Sequence, residues 1–168
     1  MPMLIKDSQI IEDSSLVIAS GFEGQLSDKA AIVPLTYWLE NKELLKNRTD
    51  IGVWIDSHEA PEDLIEDLPG LPIIAINFPK FADGRGYSYA RLLRERFNYQ
   101  GEIRAIGDVL KDQLFYMKRC GFNAFSIRDD RDIHSALESL NDFTISYQAG
   151  CDNPQPLFQQ RAKSTLAS

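Results

Sequence analysis

The stretch "IGVWIDSHEAPEDLIEDLPGLPIIAINF", residues 51–78, decides how the chain is read. "IGVWID" is a short, near-continuous apolar run rich in β-branched and aromatic residues, the signature of a strand buried on both faces. "APEDLIEDL" follows with Pro61 at a first helical position and acids where the helix dipole favours them, so a helix is expected. Pro69-Gly70 turns the chain, and "LPIIAIN" is apolar and β-branched again. A strand, a helix and a strand in so few residues make a βαβ unit with parallel strands.

The same alternation extends outward from it. "AAIVPL" reads as a buried strand before a helix through "YWLENKELLKN", with Thr36 as its expected N-cap. Downstream lie a helix to about residue 97, a strand "GEIRAIG", and a helix "VLKDQLFYMKRC" ending at Gly121, where a left-handed C-cap is expected. "NAFSIR" is a strand, "DIHSALESL" a helix and "FTISYQ" a last strand. Before all of this, "MLIKD", "QIIED" and "SLVIA" read as short strands separated by polar turns.

The expected fold class is therefore α/β: a mostly parallel sheet of successive βα units with a short N-terminal β-hairpin region. Two closures fit, a partial TIM-like barrel or an open doubly wound sheet; a full eight-stranded barrel takes about 250 residues. Residues 1–149 form one expected domain, with N-terminal strands over 1–29 and βα units over 30–149. Residues 150–168 are polar and Pro-containing, and read as a flexible tail.

Charge is distributed unevenly. Residues 1–79 carry 14 acidic and 5 basic side chains, whereas residues 80–104 carry 3 and 6. An acidic chain with one basic segment does not offer the broad positive field that nucleic acid or an anionic membrane requires. No apolar run approaches the roughly 20 residues of a membrane span. The N-terminus lacks the pattern of a signal peptide, and a cytoplasmic location is expected. Cys120 and Cys151 form no Cys-x-x-Cys pair, which speaks for a reducing compartment and against a structural zinc or iron–sulfur site. His58 and His134 are too scattered for a metal centre, so none is expected.

In either closure ligands meet the C-terminal ends of parallel strands. Those ends carry Asp56, Ser57 and His58, then Asn77 to Arg85, then Gly107-Asp108, then Arg128 to Asp130. The loop "NFPKFADGRGYS" is the strongest candidate. Gly84 and Gly86 let the backbone approach a ligand or take positive φ, while Lys80, Arg85 and Arg91 supply charge to an anion at a helix start. Asp83 either holds Arg85 or acts as an acid/base, and Arg128 either completes an anion clamp or pairs with Asp129 or Asp130. Asp108 reads as an N-cap or a catalytic carboxylate, and Gln113 faces the cleft or a neighbouring helix. His58 has the position of a general base without a visible partner. Arg94 and Arg96 read as a solvated helix face. Neither the Gly-x-x-x-x-Gly-Lys nor the Gly-x-Gly-x-x-Gly pattern is present.

"FPKFADGRGYSYARLLRERF", "GEIRAIGDVLKDQLFYMKRCGFNAFSIR" and "ISYQ" resemble a family of small proteobacterial proteins encoded beside sulfite reductase and labelled a probable oxidoreductase involved in sulfite reduction. The likeness runs from about residue 30 to 148 and is densest over 72–128. It implies a cytoplasmic role in assimilatory sulfate and sulfite reduction, with Asp83, Gly84, Arg85, Gly86, Arg91, Asp108 and Gln113 at the site. Position 77 is often acidic in such relatives; here it is Asn77. No flavin, sirohaem or nicotinamide signature accompanies the likeness, and the cofactor stays unknown. Three functions follow as expectations. One is an accessory protein binding sulfite, sulfate or phosphate, with Asp83 and Asp108 as its catalytic carboxylates. Another is a non-catalytic adaptor docking on sulfite reductase. The third is an enzyme acting on a small phosphorylated metabolite. Homo-oligomerisation is compatible with each.

Overall fold

The structure is a computed structural model that describes residues 2–80, 82–141 and 150–151. The strand expected over "FTISYQ" and all but the first two residues of the expected tail lie outside the described residues.

Among the described residues eight strands form one sheet: β1 Met3–Lys6, β2 Gln9–Glu12, β3 Leu16–Val17, β4 Ala31–Pro34, β5 Ile51–Ile55, β6 Ile73–Phe78, β7 Glu102–Gly107 and β8 Ala124–Phe125. Their order is β2-β1-β8-β7-β6-β5-β4-β3. From β3 to β8 every neighbouring pair is parallel, whereas β1 is antiparallel to both β2 and β8. The sequential order never reverses, so the sheet has no switch point of the doubly wound kind. Successive crossovers of one hand advance around the sheet in one direction and curl it into a half-barrel. That settles the choice between the two closures.

Four described α-helices accompany the sheet: α1 Leu35–Leu45, α2 Arg85–Arg91, α3 Leu114–Cys120 and α4 Ile133–Ser139. Alternation along the strands divides their side chains between two faces. Val53, Ile55, Ile74, Ile76, Phe78, Ile103, Ala105 and Phe125 join the helices in the main core, while Ile32, Trp54, Ala75 and Ile106 cluster on the inner face. A curled sheet fills its inner side with its own side chains. Here Trp54 donates from Nε1 to the Ile18 carbonyl at 2.8 Å. Beside it, Arg104 is 3% exposed and donates to Glu102 (2.6 Å) and Asp13 (2.8 Å), and Lys6 reaches Glu102 at 2.8 Å. A buried guanidinium with two carboxylates is tolerable because every charge has an opposite partner.

Local departures from the sequence reading have identifiable causes. "APEDLIEDL" holds a short 3-10 turn, Pro61–Leu64, and runs into a second, Leu68–Gly70, in place of an α-helix. The N–H groups of Asp63, Ile65 and Asp67 each donate three residues back, Pro69 ends the segment, and Leu64, Leu68 and Leu71 are buried in the core. The first helix begins directly after Pro34, so Thr36 is inside it and caps nothing. Ahead of α3 a 3-10 turn, Lys111–Gln113, follows extended Leu110, which takes the N-terminal position from Asp108. The left-handed C-cap at Gly121 is present, with φ of 118°.

Candidate functional site

The C-terminal ends of β5, β6, β7 and β8 lie side by side, and their polar residues form a rim. At the end of β5, Ser57 is buried, and its hydroxyl accepts from Arg85 Nη2 at 3.1 Å. The Ser57 carbonyl accepts from the Tyr89 hydroxyl at 2.9 Å. Asp56 Oδ1 accepts from Asn77 Nδ2 at 3.2 Å, which ties β5 to β6. His58 is 72% exposed, with Nδ1 lying 3.8 Å from Asp56 Oδ2, a partner that sequence reasoning did not supply.

The loop after β6 is built around one ion pair. Asp83 accepts from Arg85 Nε at 3.0 Å, from Nη2 at 2.8 Å and from the Arg85 backbone N–H at 3.2 Å. The guanidinium and the backbone N–H beside it hold the Asp83 carboxyl well below the usual carboxylate range. The same contact raises the Arg85 pKa. Arg85 remains 58% exposed. Its Nη1 makes no hydrogen bond among the described residues.

Of the two conformations expected for the loop glycines, positive φ is taken by neither. Gly84 precedes α2 with open space around it. Gly86 is buried, and a Cβ there would stand 2.7 Å from the Phe78 ring and 2.9 Å from Ile76 Cγ2. Gly86 thus lets α2 lie close on β6. The positive φ belongs to Gly107, at 90°. A Cβ on Gly107 would meet Asn77 Oδ1 and the Phe78 carbonyl oxygen, each at 2.5 Å. This tight crossing lets the Asp108 N–H donate to the Phe78 carbonyl at 2.8 Å.

On the far side of the rim Asp108 Oδ1 accepts from Arg128 Nη1 at 3.1 Å. Arg128 also forks onto Asp130, at 3.1 Å from Nε and 3.0 Å from Nη2. An open groove of about 570 Å³ runs from here to the N-terminal segment, lined by Asp13, Leu16, Val17, Gly107, Ser126 and Arg128. The structure therefore brings Asp83, Arg85 and Asn77 together through Asp56 and Ser57, and pairs Asp108 with Arg128 beyond Gly107. Lys80 is exposed at the start of the loop, its carbonyl accepting from the Asp83 N–H at 3.0 Å. Gln113 sits half-buried in the turn before α3. Arg91 is exposed on α2, where its charge acts on the thiols of Cys120 and Cys151.

Arg94 corrects the sequence reading most clearly. It is half-buried and donates to the carbonyls of Gly121 (2.9 Å), Tyr99 (2.8 Å) and Gly101 (2.8 Å) and to Asn123 Oδ1 (3.2 Å). A π turn over Leu92–Arg96, closed by Phe97 N–H to the Leu92 carbonyl at 3.1 Å, extends α2 and carries this side chain.

Among the described residues no cluster of three or more His, Cys, Asp or Glu forms a metal-holding group. No described helix is long and apolar enough to cross a membrane. The fold and its rim define an α/β half-barrel protein with a polar, ion-paired strand-end surface. The family model described as a bacterial protein of unknown function (DUF934) matches residues 52–158, and the chain belongs to that family. No curated protein and no solved structure matches it.

Proposed function

We propose that the chain is an accessory protein of assimilatory sulfite reduction that holds a small oxyanion at the strand-end rim. The observation that carries this reading is the state of Arg85. Its guanidinium is fixed in orientation by Asp83 and Ser57, yet over half of it is exposed and its Nη1 edge is turned to no described partner. A guanidinium already held in place loses little freedom on binding, and its Nη1 is left to donate to an oxyanion oxygen. Lys80 adds exposed positive charge at the start of the same loop. Arg128, anchored on Asp108 and Asp130, forms the other bank. Asp83 stays ionised near neutral pH, so its role is to position Arg85 rather than to deliver a proton. The resemblance of "FADGRGYSYARLLRERF" to proteins encoded beside sulfite reductase supplies the choice of anion.

Calorimetric titration with sulfite, sulfate and phosphate tests this. Binding of sulfite that is abolished in Arg85→Ala and weakened in Arg128→Ala supports the reading, provided both variants keep their circular dichroism spectra. Absence of heat with all three anions ends it. Selectivity for phosphate esters over sulfite would instead mark an enzyme of small phosphorylated metabolites.

A second reading, a non-catalytic adaptor that docks on sulfite reductase, draws on the pairing of both rim guanidiniums with carboxylates and on the open groove next to Arg128. A mixed-charge rim suits a partner whose own charges alternate. Retention of the reductase on the immobilised chain at low salt, lost at high salt, favours the adaptor.

A further inference from the structure

We propose that Cys120 and Cys151 are a redox-responsive dithiol that closes to an intramolecular disulfide. The two residues are distant in sequence, and the fold brings them together. The Cys151 N–H donates to the Arg119 carbonyl at 2.8 Å. Because that carbonyl oxygen adjoins the Cys120 Cα across one peptide unit, the two Cα atoms lie within roughly 7 Å of each other. Disulfides join Cα atoms about 4.4–6.8 Å apart.

The sulfurs also face common groups. Cys151 Sγ lies 3.4 Å from Glu95 Oε1. Arg91 acts on both thiols, and each thiol acts electrostatically with Glu95. Cys120 ends α3, and Glu95, which Cys151 Sγ contacts, belongs to the turn that extends α2, so Cys151 lies where α3 and that turn meet. A cavity of about 230 Å³ opens beside it, lined by Arg94, Lys118, Gly121, Phe122, Asn123 and Cys151. It gives a small disulfide reagent a route to Cys151.

Access sets the order of events. Cys120 is 1% exposed, whereas Cys151 is half-buried. The Cys151 thiolate attacks one sulfur of an external low-molecular-weight disulfide such as glutathione disulfide, forming a mixed disulfide and releasing one thiolate. The Cys120 thiolate then attacks Cys151 Sγ and expels the second thiol. Two protein thiols become one disulfide, and the external disulfide is reduced to two thiols, taking the two electrons and both protons. Burial and the neighbouring Glu95 push the Cys151 thiol up to about 11, and burial raises Cys120 as well. Such thiols attack slowly at neutral pH, which suits a sensor or a lock more than a turnover catalyst. Closure ties the segment at Gly150 and Cys151 to the C-terminal end of α3 and encloses about thirty residues, including α4.

The test equilibrates the full chain, in its native state, with excess glutathione disulfide, then quenches in acid and alkylates free thiols for mass spectrometry. The expected result is a species lighter by two hydrogens, with no alkylated cysteine and a cross-linked peptide pair carrying positions 120 and 151. Its Tm should rise by roughly 5–10 °C over the reduced chain, with no such rise in Cys151→Ser. Cys120→Ser should halt at a glutathione adduct on Cys151. Two alkylated thiols in the wild type, a persistent adduct on Cys151 beside a free Cys120, or only intermolecular dimers would each overturn the proposal.

Discussion

Replacing Arg94 with alanine removes the side chain that joins the end of α2, the approach to β7 and the approach to β8. Its guanidinium donates to three backbone carbonyls and one side-chain amide oxygen. Hydrogen bonds to a charged group are worth about 1.5–3 kcal/mol each, but Arg94 is only half-buried and water re-solvates part of what it leaves. Its stem also packs on Gly121, where an added Cβ would stand 2.6 Å from Arg94 Cγ. The expected cost of Arg94→Ala is about 3–5 kcal/mol. With a urea m-value of about 2 kcal/mol/M, the unfolding midpoint falls by roughly 2 M at unchanged m. Arg94→Lys keeps the charge but loses the planar fork, and should recover no more than about half of that loss. An alanine variant within about 0.5 kcal/mol of the wild type, or a lysine variant equal to it, would refute the assignment of Arg94 as a structural clamp.

Two further outcomes follow from the rim. Gly84→Ala meets open space at an ordinary φ of −82° and should be neutral or slightly stabilising, whereas Gly86→Ala drives a methyl into Phe78 and Ile76 and should cost about 1–3 kcal/mol; parallel thermal melts compare them, and equal stabilities would remove the packing role given to Gly86. For Asp83 the folded pKa is depressed, so the stability it contributes is present above the unfolded value of about 3.9 and is lost as pH falls through the folded value. Urea midpoints of the wild type and Asp83→Asn should differ near neutral pH and converge in strong acid; a gap that stays constant from pH 7 to pH 2 would contradict the pairing.

Much of the fold was legible because buried parallel strands write continuous apolar runs. "IGVWI", "IIAINF" and "EIRAIG" stand where β5, β6 and β7 stand, and strand ends alone located the rim. The curl of the sheet was not legible, since it depends on which strands pair, and the same runs suit both closures. The segment after Ala60 carries the composition of a helix and folds into 3-10 turns, a difference of one residue in hydrogen-bond spacing that composition does not encode. Within the site, the Asp83–Arg85 spacing permitted the ion pair that forms, but the pairing of Arg85 with Ser57 joins residues from separate loops. Arg94 was misjudged because one arginine among four in a helical stretch carries no mark of its burial. Arg104 had left a mark: Glu102 and Arg104 alternate on one face of an apolar strand, a spacing that marks an internally paired buried cluster. The approach of Cys151 to Cys120 is purely tertiary and leaves no trace in the spacing.

An oxyanion seated at the strand-end rim would be seen outright in crystals of the chain soaked in selenite, an anomalous scatterer with the pyramidal shape of sulfite. An anomalous peak is expected within hydrogen-bond reach of Arg85 Nη1, on the exposed side of the Asp83 pair, and it should disappear in Arg85→Ala crystals. Selenium density elsewhere on the surface with none at Arg85, or a peak that survives loss of the Arg85 guanidinium, would contradict it.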